Sequence, residues 1–418
     1  MGVLNWQEIL PEKELWEKEW DYITQELIDK RTDLIYDYPI RGEAKCPAPE
    51  ETERSWPNPC GYGTGTEDAM IYGGTLLDAC LCRYELEQDK KSEETAHRLV
   101  SGMLRCAFSA HSEGFLPRSV MPVDGKCHYI DSSRDQYTMF LFGAYRYLHS
   151  PLCRKEERDA LARALTGFAK RAEKNVVEQN DYDLLRDDGG PSLNCVMWGK
   201  SQGNHEYCRL PAIYIAAWDA SGDDHWLSLY RELREEAYRK SLPMTEYWHL
   251  YTLQQMQAAL YICRGADPDS GWKEKYDDLM GTVSDYAVGQ TGKYADFLDG
   301  LEGIEWKPDD FRTHPMVERR HPVWEGLPAF YPSSKNAENR FLIQDLANII
   351  IVSALSHGST PSSEALRLFS RAFRKIAFSR EQGAMPVHFM EGYYRFLLAK
   401  KYFYRGNCEG EKEWIIKR

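Results

Sequence analysis

The chain has 418 residues, of which 43% are hydrophobic and 28% charged, and its formal net charge is −13. This acidic balance, with no basic stretch to offset it, argues against a nucleic-acid partner and against an anionic membrane surface. No run of about 18 apolar residues occurs, so no membrane-spanning segment is predicted. The length suits two or three average domains, but it also suits one large all-helical toroid.

The 11 cysteines are spaced irregularly, and several fall in apolar helical stretches. This pattern favours buried, reduced thiols, with a disulfide between Cys46 and Cys60 in a secreted protein as the alternative. No CxxC pair and no HExxH motif is present, so neither a metal site nor a cofactor is predicted. The acidic N-terminus has no apolar signal core. We therefore expect a cytoplasmic protein, or a periplasmic or secreted one if a signal peptide preceded this sequence.

Helical periodicity dominates the chain, and two kinds of helix alternate along it. One kind has a single apolar stripe and a charged face, as at 11–30, 92–111, 154–174, 223–240, 270–289 and 361–379. The other kind is apolar nearly all round, as at 69–85, 136–148, 207–218, 251–263, 341–355 and 389–404. A helix without a polar face must be covered on most sides, so the second set is predicted to form an inner ring within the first.

The predicted fold is therefore all-α, a single (α/α)6 toroid. It comprises residues 1–418, with its core at about 60–405 and the helix at 11–30 in the outer ring. Links from an inner helix to the next outer helix are short, whereas most links in the other direction are long, at roughly 31–66, 112–134, 180–205 and 291–339. Links of one kind share one end of a toroid, and long structured loops are usually functional. We expect the functional site at the long-loop end.

The starts of the inner helices collect carboxylates, arginines, histidines and aromatic residues. The catalytic candidates are Asp135, Glu67, Asp68 and Glu206. The substrate-binding candidates are Arg134, Tyr137, Trp198, His205, Arg209, Trp248, His249, Trp324 and Arg118. Aromatic faces stack on pyranose rings, while carboxylates and arginines bind hydroxyl groups. The mixture therefore predicts a carbohydrate-binding cavity.

Hydrolysis of a glycosidic bond needs one protonated acid at the leaving oxygen and one carboxylate for water or the anomeric carbon. We expect Glu67 or Asp68 to act with Asp135, and Glu206 is a third candidate. Each carboxylate also has a structural interpretation, since Asp and Glu residues at a helix start are common caps. The prediction therefore depends on these residues sharing one rim.

Two segments, GTEDAMIYGGTLLDACLCRYE and GFLPRSVMPVDGKCHYIDSSRDQYTMFLFGAYRYL, together with the alternation of helices, resemble the six-hairpin glycosidase superfamily. The unsaturated glucuronyl hydrolases belong to it. The resemblance covers about residues 60–405 and implies an (α/α)6 toroid. It also implies an acid or base role for acidic residues at inner-helix starts, which here are Glu67, Asp68 and Asp135. The same toroid serves sugar epimerases, polysaccharide lyases and terpenoid cyclases.

The sequence thus predicts a metal-independent glycoside hydrolase acting on an oligosaccharide, with a uronate-containing substrate suggested by Arg118, Arg134 and Arg209. One alternative is a polysaccharide lyase or sugar epimerase. It would use Tyr137, His205 or His249 as a base, and an arginine to stabilise the enolate-like charge. The other alternative is a non-catalytic carbohydrate-binding protein. No oligomeric state is predicted.

Overall fold

The computed structural model describes residues 9–40, 45–244, 249–301, 310–332, 337–356, 359–377 and 383–402. Their helices, in chain order, are α1 Lys13–Tyr22, α2 Pro49–Glu53, α3 Ala69–Glu87, α4 Lys90–Ala107, α5 Arg134–Leu148, α6 Lys155–Asn175, α7 Arg209–Ser221, α8 Asp224–Ser241, α9 Tyr251–Ala266, α10 Ser270–Gly289, α11 Lys293–Gly300, α12 Ala337–Leu355, α13 Ser363–Ile376 and α14 Pro386–Tyr402. Strand β1 (Met316–Glu318) pairs antiparallel with β2 (Phe330–Pro332) in one loop.

Six helices close into an inner ring. Each packs on its two neighbours, in the order α3, α5, α7, α9, α12 and α14, and α14 returns to α3. The helices α4, α6, α8, α10 and α13 pack outside this ring, and α1 lies against α14. The all-α (α/α)6 prediction is therefore confirmed. In addition, α5 contacts α9 directly, and Tyr261 of α9 packs edge-on against Phe142 and Tyr145 in the C-terminal half of α5.

Burial separates the two rings as the sequence pattern predicts. In α5, 12 of the 15 residues are buried, so this helix has no solvated face. In α8, only 5 of the 18 residues are buried, and they form one stripe. The helix expected at 11–30 is shorter, because α1 ends at Tyr22 and continues as a π-helical turn over Ile23–Leu27. None of the helices in the described ranges has the length and apolar composition needed to cross a bilayer.

The inner helices α3 and α5 approach each other backbone to backbone. A Cβ atom on Gly74 of α3 would lie 2.1 Å from the carbonyl oxygen of Met139 in α5. Gly143 of α5 is similarly close, since a Cβ there would lie 3.0 Å from Gly74 Cα. Because only glycine permits this approach, the two helix starts, and the carboxylates they carry, are held at a fixed separation.

The interior of the ring contains a buried charged cluster. Asp78 of α3 is fully buried and accepts hydrogen bonds from Nε of Arg146 (2.8 Å) and Nε of Arg395 (2.6 Å). Glu391 of α14 is also fully buried and accepts from Nε2 of Gln254 (2.7 Å). Burial, followed by the charge of Asp78, raises the pKa of Glu391 well above its usual value. Burial and Asp78 thus favour the protonated form of Glu391, whereas the two arginines favour the ionised form of Asp78.

The ten described cysteines are all free, and eight of them are buried. The alternative of a disulfide between Cys46 and Cys60 is not realised. Cys46 packs with Met121 and Tyr129, whereas Cys60 belongs to a separate apolar cluster with Trp324. Burial raises the pKa of the Cys46 thiol to about 12, which keeps it protonated and unreactive at neutral pH.

Candidate active site

The carboxylate of Asp68, at the start of α3, does not cap the helix. Asp68 is the N-cap residue of α3, yet its side chain makes no cap hydrogen bond. Asp37, which lies in the segment before α2, binds the chain just before the helix: its Oδ2 accepts from the backbone N–H groups of Glu67 (3.0 Å) and Asp68 (3.2 Å). The structural interpretation of Asp68 as a helix cap therefore does not apply.

One oxygen of Asp68 is occupied by two donors. Nη1 of Arg118 donates to Oδ1 at 3.3 Å, and Nε2 of Gln136 donates to the same atom at 3.0 Å. None of the described residues donates to Oδ2, and the side chain keeps 28% of its exposure. Guanidinium and amide N–H groups only donate, so a proton on Asp68 lies on Oδ2, which faces solvent. The pKa of Asp68 is raised to about 6, first by burial and then by the charge of Asp37.

Asp135, in the first turn of α5, has the opposite electrostatics. Nη1 of Arg209 donates to its Oδ1, and its side chain remains 26% exposed. Burial alone would raise the pKa of Asp135, but the charges of Arg209 and Arg134 outweigh burial and lower it. The charge of Asp135 in turn raises the pKa of Asp68. Gln136, the chain neighbour of Asp135, donates to Oδ1 of Asp68 and so links the two helix starts. We call the partly exposed polar surface around Asp68, Asp135 and Arg134 the recess.

Glu67 and Glu206 lie on either side of this pair. Burial, and then the charges of Asp37 and Asp68, raise the pKa of Glu67 well above its usual value. Oε2 of Glu67 accepts from the backbone N–H of Gly63 (2.5 Å), so Glu67 is held against its own loop. Glu206 forms an ion pair with Arg134 and accepts from the backbone N–H of Gly203 (2.8 Å). Both oxygens of Glu206 are thus engaged, and Glu206 orients Arg134.

His205 lies next to this ion pair, with Nε2 at 3.6 Å from Oε1 of Glu206. Burial and the charge of Arg209 lower the pKa of His205 to about 4. The imidazole is therefore neutral at neutral pH. Arg209 itself is only 2% exposed and contacts Asp135, so it too belongs to the floor of the recess.

One aromatic wall stands at the starts of α9 and α12. The rings of Tyr251 and Phe341, both half-buried, lie 5.9 Å apart between centroids, and the ring of His249 lies 5.2 Å from Phe341. Nδ1 of His249 is 3.3 Å from Oδ2 of Asp345, which orients the ring. Burial and the charge of Asp135 raise the pKa of Tyr251.

A second aromatic wall comes from the long loops. The Tyr62 hydroxyl accepts from Nη2 of Arg118 (2.6 Å) and from Nδ2 of Asn194 (2.8 Å). The ring of Tyr331, in β2, stacks on Tyr62 with centroids 6.0 Å apart. Tyr62 therefore connects the loop end of the toroid to Arg118, the residue that holds Asp68.

Several predicted binding residues lie away from the recess. Tyr137 is fully buried against Phe168 of α6, and its hydroxyl is engaged by the backbone of the 108–133 loop. Trp324 is 2% exposed, and its Nε1 donates to Oδ2 of Asp131 (2.7 Å). Neither ring is available to a ligand. Trp198 packs edge-on against Tyr207 near α8. Trp248 lies outside the described residues.

The structure thus gathers Glu67, Asp68, Asp135, Glu206, Arg118, Arg134, His205 and Arg209 around one recess. The residues that sequence reasoning missed are Asp37, Gln136, Tyr62, Asn194, Tyr251, Arg340 and Phe341. Tyr251 and Phe341 begin two predicted inner helices, so the rule applied to the carboxylates would have found them. Within the described residues, no three His, Cys, Asp or Glu side chains are arranged to hold a metal ion.

No protein-family model matches the chain, and no curated protein is similar enough to be matched. Among solved structures, the chain is similar to one described as a sugar epimerase from a ruminal bacterium, with 9% identical residues and a TM-score of 0.47. The similarity covers 92% of this chain and 98% of that chain. At this identity and score, it gives no information about the activity of the chain.

Proposed function

We propose that the chain is a glycoside hydrolase in which Asp68 is the general acid and Asp135 the partner carboxylate. The observation that carries this proposal is the pair itself. Two carboxylates at the starts of touching helices have their pKa values shifted in opposite directions. Such a separation is how a site keeps one acid protonated and one ionised at the same pH.

The roles follow from the atoms that remain available. Oδ2 of Asp68 carries the proton and gives it to the glycosidic oxygen as the bond from that oxygen to the anomeric carbon breaks. Asp135 stays ionised through Arg209 and either takes a proton from the attacking water or bonds to the anomeric carbon. Arg118 and Gln136 hold Asp68 by its other oxygen, so the donor is fixed without being deprotonated.

The walls of the recess support a sugar as the substrate. Tyr251 and Phe341 offer aromatic rings of the kind that stack on pyranose rings. The ring of Tyr62 is covered by Arg118, 4.5 Å from its centroid, and by Tyr331, so that wall shapes the recess without offering a stacking face. Asn194 and the arginines offer donors for hydroxyl oxygens.

A lyase or epimerase would instead require a base that removes a proton from carbon. Tyr137 is sealed in the core, and His205, with a pKa of about 4, is a weak base. His249, which is 14% exposed and oriented by Asp345, is the best placed base for this alternative among the described residues. The hydrolase needs no such base, and the carboxylate pair serves it directly.

The test is a panel of neutral and uronate-containing oligosaccharides, followed for reducing ends, for absorbance of unsaturated uronates and for changed stereochemistry by NMR. A hydrolase produces reducing ends without raising that absorbance, a lyase raises both, and an epimerase changes stereochemistry alone. Asp68→Asn and Asp135→Asn should each abolish release of reducing ends. Glu391→Gln, which alters a fully buried acid of the ring interior, is the matched control and should retain it. Full turnover by Asp68→Asn would overturn the proposal.

A further inference from the structure

The residue that fixes Asp68 lies outside the inner ring. Asp37 is 1% exposed, and its carboxylate contacts two elements at once. Oδ2 accepts from the backbone N–H groups of Glu67 and Asp68 at the start of α3. Oδ1 accepts from Nη2 of Arg340 in α12 at 3.1 Å. One side chain therefore joins the starts of two inner helices.

The backbone of Asp37 extends this connection to a third helix. Its N–H donates to the carbonyl of Gly65 (3.0 Å), and its carbonyl accepts from the N–H of Ala384 (2.9 Å), just before α14. A Cβ on Gly383, whose φ is +60°, would lie 1.8 Å from that same carbonyl. The segment around Asp37 is thus fitted closely between α3, α12 and α14.

From this arrangement we propose that Asp37 is a positioning residue of the site, which holds Asp68 for proton donation and sets its charge environment together with Arg340. This inference rests on the proposed role of Asp68 as the general acid. Asp37 does not touch the recess. It acts on Asp68 through its hydrogen bonds to the backbone of Glu67 and Asp68 and through the electrostatic field of its carboxylate.

The charges that act on Asp68 come from several elements. The titratable and charged groups around it among the described residues are Asp37, Tyr38, Tyr62, Glu67, Arg118, Arg134, Asp135, Arg209, Tyr251 and Arg340. After burial, Asp37 is the largest influence that raises the pKa of Asp68, whereas Arg118 and Arg340 lower it. Asp37 and Arg340, being paired, thus act on Asp68 in opposite directions.

This opposition gives a test that a purely structural role would not pass. Asp37→Asn removes the negative charge and leaves that of Arg340, so the titration of Asp68 should move to lower pH by about 0.5–1 unit. Arg340→Gln leaves the charge of Asp37, so the titration should move to higher pH. The double variant removes both charges, avoids a buried unpaired ion and should titrate close to the unmodified protein.

The readout that does not depend on activity is infrared. The carboxyl C=O band of Asp68 is identified as the signal absent from Asp68→Asn, and its loss with rising pH is followed in each variant. The second readout is the alkaline limb of kcat/KM on whichever oligosaccharide of the panel is cleaved. Both should move in the same direction in each single variant.

The activity of Asp68→Asn tests the proposed function, and the infrared titrations of the other variants test the role of Asp37. If Asp68→Asn is inactive but the Asp68 band titrates at the same pH in all variants, Asp37 has no positioning role through charge and the inference fails while the function stands. Shifts in the same direction for both single variants would also overturn it. If Asp68→Asn is fully active, the proposed function fails, and the infrared titration still decides whether Asp37 controls Asp68. Should Asp37→Asn not fold, the double variant and Arg340→Gln carry the comparison.

Discussion

Asp68→Asn should make the protein more stable at pH 8 while removing its activity. The substitution is close to isosteric, and the Asn oxygen can accept from Arg118 and Gln136 as Oδ1 of Asp68 does. Asparagine therefore mimics the protonated acid at every pH. What it removes is the penalty for ionising Asp68 inside the folded protein.

The magnitude follows from the raised pKa. Folding raises the pKa of Asp68 from 3.8 to about 6, which corresponds to a loss of about 3 kcal/mol of stability once the pH is well above 6. The sign follows from proton binding. Between these two values the unfolded chain has lost the proton and the folded chain retains it, so stability falls as pH rises. About half of the penalty is present at pH 5, and none well below the lower value.

The assay is urea unfolding followed by tryptophan fluorescence at pH 5 and pH 8. The unfolding midpoint of Asp68→Asn should exceed that of the unmodified protein at both values, and by more at pH 8. Asp135→Asn provides the contrast. Because its lowered pKa makes ionised Asp135 stabilising, that variant leaves Arg209 unpaired and should lose about 1.5–3 kcal/mol at pH 8.

Two results would contradict this prediction: Asp68→Asn is less stable than the unmodified protein at pH 8, or its gain in stability does not depend on pH. Either result would mean that the Asp68 carboxylate is satisfied in its ionised form. The raised pKa, and with it the acid role, would then have no support.

Three further predictions concern packing and binding. Gly74→Ala should lower the free energy of unfolding by about 3 kcal/mol in urea, because its Cβ meets backbone of α5 rather than a mobile side chain. Asp78→Asn should lower the free energy of unfolding by about 3–5 kcal/mol, because Arg146 and Arg395 lose their carboxylate partner. Glu391→Gln should change the free energy of unfolding by less than about 1 kcal/mol. Phe341→Ala should raise KM for an oligosaccharide by about tenfold with a smaller change in kcat, and Phe108→Ala, on the exposed outer surface, should leave both unchanged.

The architecture could be predicted from the sequence because two burial patterns alternate without interruption. The segment 136–148 has no polar face and 154–174 has one, and the structure places them in the inner and outer rings as α5 and α6. Parallel inner helices then require their starts to meet, which is why Asp68, Asp135 and Arg209 could be associated although they are far apart in the chain.

The parts that could not be predicted depend on contacts between loops. Asp37 lies in a loop that has no helical periodicity. Its role appears only in the structure, where its carboxylate binds the start of α3 and Arg340. Trp324 is of a residue type that stacks on sugars, yet its indole is buried and its N–H donates to Asp131. Tyr137 lies next to Asp135 and Gln136 in the chain but on a different face of α5, turned outward to Phe168. The residue types made Trp324 and Tyr137 candidates for ligand binding. The direction of each side chain, which the sequence does not show, excludes them.

The contact between Asp37 and the starts of α12 and α14 has a consequence for biosynthesis. The segment that holds Asp68 leaves the ribosome about 300 residues before Arg340 and Ala384, which hold that segment. Until α14 is made, the surface of α3 that α14 covers is exposed and the inner ring is not closed. A nascent chain therefore exposes apolar helix surfaces that chaperones can bind. The surroundings of Asp68 are therefore complete only after α14 has been translated. If Asp68 has the proposed role, a chain stopped before α14 should be inactive however well its first five hairpins fold.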